Sequence, residues 1–444
     1  MRFLTGMYVP ILIIFIVVNS AGAEVLSLNQ AIITALNNNP DLKASSWSIQ
    51  GQKNEANAAK GRYYPTLNIE ERFLRTDNPT FGFMAKLNQE RFSQEDFLIH
   101  KLNNPDDISD FQTLVTIEQP LFVPKVHIGF GMARKELKAK EAEFEIKKEA
   151  VALHVVKNFL GVQTAQEYVK AAQIRIEDSM EHKRLASLRY DVGTVVYADI
   201  LRTEVEVKSA EAVLVSAEAN LEVSRRALGL VLGRTEPVDV TGNRIILPLS
   251  DLHTYLDASL NRKDIEALKM RYENAKAGVK MEKSDFLPEI GIRGSYQMND
   301  HTSPFSPEGE SYMIMGLLKW SLFDVSKYSN IKKAKADEHV AEEHLSALKD
   351  KINFRVHDAY IRVNEKEQNL SLSKAILKEA EETLRLVRLR YENSLVSIVD
   401  LLDTQVMLNN ARAGLVTAES DYISSIADLH YQSGILLNTL NQLY

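Results

Sequence analysis

The 444-residue sequence predicts an α+β membrane protein. In this architecture four strands per chain, from three chains, make a 12-stranded β-barrel, which a long α-helical coiled-coil barrel continues. Three observations predict it: the chain repeats itself once, each repeat holds a pair of amphipathic strands, and each holds long helical segments with an unbroken heptad.

Met1–Pro10 carries Arg2 and no acid, and Val9–Val18 is apolar apart from Pro10. Ala21-Gly22-Ala23 then puts small residues where a signal peptidase reads them. This is the pattern of a secretory signal peptide, with cleavage expected after Ala23 and residues 1–23 outside the fold. The alternative is an uncleaved anchor, for which the apolar core is short against the roughly 20 residues of a spanning helix. No other segment approaches 18 continuous apolar residues, so a helical membrane protein is excluded. The chain has no cysteine, hence no disulfide, no thiolate metal site and no lipidated amino-terminal cysteine. Its net charge is −7, or −8 once Arg2 is removed, which argues against nucleic acid as a partner.

The repeat sets the domain organisation. Ala35, Asp41, Leu42, Ala44 and Pro65 line up with Ala258, Asp264, Ile265, Ala267 and Pro288 at a shift of 223. Leu121-Phe122 lines up with Leu322-Phe323 at a shift of 201, and so do Arg189-Tyr190 with Arg390-Tyr391, Asp199 with Asp400 and Leu201 with Leu402. The difference, 22 residues, lies between positions 70 and 115. Two units follow, 24–235 and 236–444, joined near Glu236–Pro248, where two prolines and a glycine fall.

Each unit reads in the same order. A short helix comes first, at about 28–60 and 251–284, followed by two strands, a very long helix, a brief break and a second long helix. The strands alternate with period two. Leu67, Ile69 and Phe73 share a face, as do Phe111, Val115 and Ile117. Ile290, Ile292, Tyr296 and Met298 share the next, and Tyr312, Ile314, Leu318, Trp320 and Leu322 the last. The loops between them, about 77–110 and 300–310, are rich in Pro, Asn, Asp and Ser, and are expected to face the cell exterior. The long helices keep a 3-4 step through Val207, Ala210, Leu214, Ala217, Leu221, Ser224, Leu228 and Val231. Leu408, Ala411, Leu415, Ala418, Tyr422, Ser425 and Leu429 repeat it, which calls for coiled-coil packing. Lys125–Val192 contains no proline and would run for about 100 Å at a rise of about 1.5 Å per residue.

On the helices alone, a coiled-coil spacer would explain the chain. The strands decide against it. Four strands close no barrel by themselves, because the smallest bacterial barrels use eight. Open edges in lipid would leave backbone groups unsatisfied. The chain must borrow strands from its neighbours, and three copies give twelve, together with twelve long helices.

These residues resemble the TolC-type outer-membrane efflux proteins over nearly all of the mature chain. The most specific part is the helix-to-helix break of each half. It runs Arg189-Tyr-Asp-Val-Gly-Thr-Val-Val-Tyr-Ala-Asp-Ile-Leu201 in the first and Arg390-Tyr-Glu-Asn-Ser-Leu-Val-Ser-Ile-Val-Asp-Leu-Leu-Asp403 in the second. The resemblance implies an outer-membrane exit duct of a tripartite efflux or type I secretion system. It implies a homotrimer embedded in outer-membrane lipid, docked to a periplasmic adaptor and an inner-membrane pump of RND or ABC type. Asp400 and Asp403 match the two aspartates that narrow the pore at the periplasmic tip. Their i, i+3 spacing puts both on one helix face, and three-fold symmetry would gather six carboxylates into a cation-attracting ring. The alternative is local, since aspartates near a helix start cap it. Asp199 and Tyr391 match positions that bridge neighbouring tip helices in the closed state. Val192, Gly193, Thr194, Ser394, Leu395 and Val396 form the tips that would dock the adaptor. Two positions depart from the family pattern: Val396 stands where a partner arginine is expected, and Ser394-Leu395 replaces the Gly-Thr pair kept at Gly193-Thr194.

Two other classes compete. An enzyme would need a catalytic or cofactor motif, and none is found; Gly229–Thr235 lacks the lysine of a phosphate loop and follows a helix instead of a strand. His339 and His344, five residues apart, point about 140° apart on a helix and do not share an ion. No catalytic residue, metal or cofactor is therefore assigned. A periplasmic adaptor also has a long hairpin, but only one, set between β-rich flanks.

Overall fold

The computed structural model describes residues 24–242 and 245–443, so the expected signal peptide lies outside the described residues. Strand β1 (Glu24–Leu26) leads into helices α1 (Leu28–Asn38) and α2 (Pro40–Gly61). Strands β2 (Thr66–Thr76) and β3 (Ile108–Phe122) follow, with α3 (Pro79–Asn88), a 3-10 turn at Gln94–Phe97 and α4 (Ile99–Asn103) between them. The first hairpin is α5 (Pro124–Asp191) and α6 (Tyr197–Val231). A short strand β4 (Val238–Val240) precedes the second set: α7 (Leu252–Ser259), α8 (Lys263–Ser284), β5 (Glu289–Asp300) and β6 (Gly309–Lys319). The chain ends with α9 (Val325–Glu392), α10 (Ile398–Ser433) and α11 (Leu436–Leu443).

The repeat is visible residue by residue. Helices α5 and α9 are both 68 residues long and start 201 positions apart, and α2 and α8 are both 22 residues long and start 223 apart. At about 1.5 Å per residue, α5 and α9 each span about 100 Å. Near the sheet they pack with α2 and α8, and further away with α6 and α10. Every level of the wall therefore holds four helices. This corrects the expectation that the opening helix of each half is one short unit. Each is two helices, and the second, α2 or α8, is a structural part of the long wall.

The break inside each opening segment has a physical cause. Pro40 occupies the first turn of α2, where its missing N–H is not needed, and Asn39 caps that helix through Asp41 and Leu42. Asn39 also donates to the Val231 carbonyl at the end of α6, at 3.0 Å. Arg262, 223 positions later, does the same for α10, donating to the Tyr431 and Gln432 carbonyls at 2.8 and 2.6 Å. Each break thus satisfies orphan carbonyls at the end of a neighbouring helix. The join is tight. Gly233 and Gly434 end α6 and α10 in the left-handed region, with φ of 75° and 74°. A Cβ on Gly233 would lie 2.6 Å from the Asn38 carbonyl oxygen, and one on Gly434 2.9 Å from Arg262 Cγ.

The main core lies midway along the long helices. Phe159, Val162, Val356 and Val363 pack there with Leu228, Leu232, Tyr255, Leu429 and Leu436. The inter-repeat segment belongs to this belt. Strand β4 pairs in parallel with β1, and Ile245 and Leu247 are buried, so the segment is a structural element as well as a joint. The heptad positions are buried or half-buried as expected, Val207, Ala210, Leu408 and Ala411 among them.

The four-stranded sheet has the order β2-β3-β5-β6, antiparallel throughout. Leu67 faces Ile117, Ile69 faces Val115, Phe73 faces Phe111, and Val115, Tyr296 and Tyr312 run across one row. This apolar face is exposed, as a lipid-facing surface is in an isolated chain. The opposite face carries Asn68, Glu70, Arg72, Gln112, Thr116, Arg293, Ser295 and Gln297, a polar lumen. Strands β2 and β6 each pair on one side only. Trp320 and Leu322, expected on the last strand, lie just past it; the Trp320 indole donates to the Phe286 carbonyl at 2.9 Å.

The Gly434 position supplies a stability test. Gly434→Ala adds a methyl against Arg262 and puts a Cβ at positive φ, at a cost of about 1–3 kcal/mol. The heat-dissociation temperature of the detergent-solubilised assembly should fall. Gly434→Asn should fall less, because asparagine tolerates the left-handed region better. Equal losses would mean that contact with Arg262, not backbone conformation, dominates.

Candidate functional site

The ends of α5 and α9 furthest from the sheet carry the residues singled out from the sequence. Both turns are built alike. Gly193 N–H donates to the Tyr190 carbonyl and Thr194 N–H to that of Arg189, each at 2.9 Å. Ser394 and Leu395 make the same pair of bonds to Tyr391 and Arg390, also at 2.9 Å. These are Schellman closures of the helix end. The sequence departure at Ser394-Leu395 therefore leaves the turn unchanged, but it leaves a serine at φ 62° where the first copy has glycine at φ 75°. A non-glycine residue there costs about 1–2 kcal/mol. Its side chain is used: Ser394 Oγ accepts a hydrogen bond from Arg189 of the other hairpin. The Arg189 guanidinium also lies over the Tyr391 ring, 4.3 Å from its centroid.

Tyr391 is buried in a small cluster with Ile398 and Leu401. Its hydroxyl has no partner among the described residues. Val396, where the resemblance puts an arginine, packs against the same cluster. Asp199 pairs with Arg202 of its own helix at 3.2 Å. Among the described residues of one chain, no hydrogen bond joins Asp199 to Tyr391. Val192 and Leu395 project into solvent, 73 % and 71 % exposed, at the two apices with Gly193 and Thr194.

Asp400 and Asp403 are both exposed on α10, while Leu401, Thr404, Gln405 and Leu408 of the same helix are buried. Asp400 forms a capping box: its carboxylate accepts from Ser397 Oγ at 2.6 Å and Ser397 N–H at 2.9 Å, and its own N–H donates to Ser397 Oγ. The Ser397 hydroxyl and amide hold its carboxyl below the usual aspartate range. Asp403 has no hydrogen bond or ion pair among the described residues. One acid therefore caps the helix and the other stays free on the same face.

The sequence did not reveal two contacts that link the hairpins. One is Arg189 on Tyr391. The other lies further up, where buried His182 of α5 meets Gln405 of α10 at 3.2 Å, Gln405 donates to Asp178 at 3.0 Å, and Arg412 pairs with Asp178 at 3.4 Å. These polar residues lie off the heptad seams, so the periodicity gave no signal of either contact. Histidines 339 and 344 form no joint site; His339 is exposed and sits beside Glu342 at 3.5 Å. Asp300, His301 and Glu308 lie within 4.8 Å of one another, but Thr302, Ser303 and Arg91 occupy their carboxylates.

A four-stranded amphipathic sheet with open edges, carried on two helical hairpins of about 100 Å, defines one subunit of an outer-membrane channel. The chain belongs to the outer membrane efflux protein family, whose profile matches residues 31–234 and 254–434. It is similar to nodulation protein T of Rhizobium leguminosarum bv. trifolii, 23% identical over 318 residues that cover 68% of this chain and 67% of that protein. It is also similar to outer membrane protein TolC of Vibrio cholerae, 20% identical over 336 residues, 72% of this chain and 76% of that one. The crystal structure of a membrane protein from Pseudomonas aeruginosa superposes with a TM-score of 0.78 at 17% identity, covering 93% of this chain and 96% of that one. The protein is thus an outer-membrane exit duct of the efflux and type I secretion class, and the adaptor alternative falls away.

Arg189 is the residue to test. Its stacking and its bond to Ser394 together hold the two tips at about 1–2 kcal/mol, or about tenfold in the balance between apposed and separated tips. Arg189→Ala should raise single-channel conductance or open probability in planar bilayers. Arg189→Lys should give a partial effect, because an ammonium lacks the planar fork. Unchanged currents in both would show that these contacts do not restrain the tip.

Proposed function

We propose that three copies close head to tail into one duct that crosses the outer membrane and reaches through the periplasm. Residues 1–23 direct export, and the repeats 24–235 and 236–444 each contribute one strand pair and one hairpin. Cargo passes through passively, delivered by an inner-membrane pump of RND or ABC type and received through a periplasmic adaptor that docks on residues 192–194 and 394–396.

One observation carries this reading: the open edges match. The sheet stops at β2 on one side and β6 on the other. The helical wall stops at α6 and α9, and both present exposed apolar stripes, Val205, Val215, Val223 and Leu230 on one and Phe354, Ile361, Leu372 and Ile376 on the other. A contact between unlike edges closes a ring when its rotation divides the circle. Three turns give twelve strands and four helices per chain at every level.

At the periplasmic end, Asp400 and Asp403 form the ring that narrows the lumen and attracts cations. Capping and ring roles coexist on Asp400, since its capping box leaves it exposed and charged. Asp199 and Tyr391 meet tip helices of the neighbouring chain.

Two measurements test this. Light scattering of the detergent-purified protein should give a trimer; a folded monomer with an inserted barrel would overturn the proposal. Asp400→Asn with Asp403→Asn keeps side-chain size and removes charge. The double variant should remain trimeric and lose both cation preference and block by multivalent cations. Because its capping bonds lower the Asp400 carboxyl, the charge and the cap persist through the ordinary aspartate value of about 3.9 and are lost only as pH falls further. Cation preference should therefore survive at pH 5. Unchanged selectivity in a loosened trimer would make the acids structural caps alone.

A further inference from the structure

The 22 extra residues of the first repeat are folded. They belong to the segment between β2 and β3, which holds α3, the 3-10 turn and α4, whereas the segment between β5 and β6 is a short turn region with no helix. Phe92 stacks edge-on with Phe83 and Phe97 at 4.8 and 5.0 Å, and Lys86 bonds Asp96 at 2.7 Å, so the segment has its own small core.

This unit is seated on the lumen face of the sheet. Gln89 is fully buried and donates to the Ser109 carbonyl at 2.9 Å and to Asp110 at 2.8 Å. Asn299 donates to both Asp110 oxygens at 2.9 Å. Gly82 packs on Ile108, and a Cβ on Gly309 would collide with the Asn88 carbonyl oxygen. Ile108, Asp110, Asn299 and Gly309 are on the polar, lumen side at the outer end of their strands. Arg91 ties the unit to the second loop through Glu308 at 3.4 Å.

Helix α3 therefore has an inner face, Gly82, Ala85 and Gln89, against the sheet. Its opposite face is Phe81, Met84 and Leu87, 58 %, 52 % and 44 % exposed. Scattered apolar residues on a surface mean little, but three on one face of one helix call for a cover. Lipid does not reach the lumen side. What does reach it, in a ring of three chains, is the same helix of the other two copies.

We propose that three α3 helices meet on the three-fold axis and form an apolar constriction at the outer mouth, a second gate remote from the periplasmic tip. This rests on the trimeric duct proposed above. The dimensions fit. Twelve strands about 4.8 Å apart and tilted by about 40° enclose a circle of about 12 Å radius. That radius is measured to the strand backbone, so three helices about 10 Å across, seated at the rim, have no room to stand apart from one another. An apolar throat of that kind stops water and ions by dewetting and opens when cargo moves the helices apart.

The absence of cysteine makes the test clean. Met84→Cys puts one thiol per chain beside the axis. Oxidant on intact cells should yield covalent dimers from most chains, in a protein that purifies as a trimer. A trimer whose introduced thiol stays uncoupled and reacts with a polymer-linked maleimide as fast as an open surface thiol would overturn the proposal and leave the face to cargo or another partner. Absence of a trimer would instead remove the duct reading on which it stands. A second measurement reads the gate itself. In Thr116→Cys, a lumen-facing thiol below α3, labelling from outside by the same reagent should be slow. Adding Phe81→Ser, Met84→Ser and Leu87→Ser should speed it about tenfold by wetting the throat. Equal labelling with and without the serines would overturn the gate.

Discussion

In the hydrocarbon of a bilayer, a backbone N–H or C=O at a sheet edge has no water to bond, at several kcal/mol for each group. This chain has two such edges, β2 and β6, each about eleven residues long. Everything else follows from satisfying them. The edges differ, so the contact is between unlike surfaces and must turn through a closed ring. Each strand is joined to one helix of the wall: α2 enters β2, α5 leaves β3, α8 enters β5 and α9 leaves β6. Closing the barrel therefore closes the helical tube as well. The proposed ring would bury the apolar stripes of α6 and α9 by the same operation that pairs the strands.

The duplication explains how one chain supplies a wall four helices wide along its length. Two helices per repeat are unequal, so a third must fill the level beside the sheet. The joints between levels lie in the central belt, and the repeats solve them with different chemistry at equivalent places. Asn39 and Arg262 both cap the end of a neighbouring helix, one with an amide and one with a guanidinium. Gly233 and Gly434 both turn the chain where a side chain would strike that cap. Duplication preserved the geometry and let the residues drift.

The tip shows the same drift. Ser394 occupies a backbone conformation that favours glycine, and it accepts Arg189. Strain of this kind persists where a side chain is put to use. The arginine expected at Val396 is missing, yet an arginine still stacks on Tyr391, supplied by the opposite hairpin. A link between hairpins can thus change its donor while keeping its acceptor region.

By itself the sequence determined the elements and their order. Period-two strands, heptads and a constant repeat shift are local patterns, because each reports which side of one element is apolar, and Leu67, Tyr296, Val207 and Leu408 all lie where those patterns put them. Asp400 and Asp403 were singled out by the resemblance of their segment to a known family, and their i, i+3 spacing accounts only for their both lying exposed along α10. What only the tertiary structure decided are contacts between residues far apart in the chain. The Arg189–Tyr391 stack spans 202 positions and the His182–Gln405 bond 223, and no periodicity encodes either. The segment at 77–107 read as a polar loop because its helices are short and its buried positions, Gly82, Ala85 and Gln89, are small or polar. It is held by Asp110, Asn299 and Gly309 on three strands, a surface that exists only once the sheet has formed.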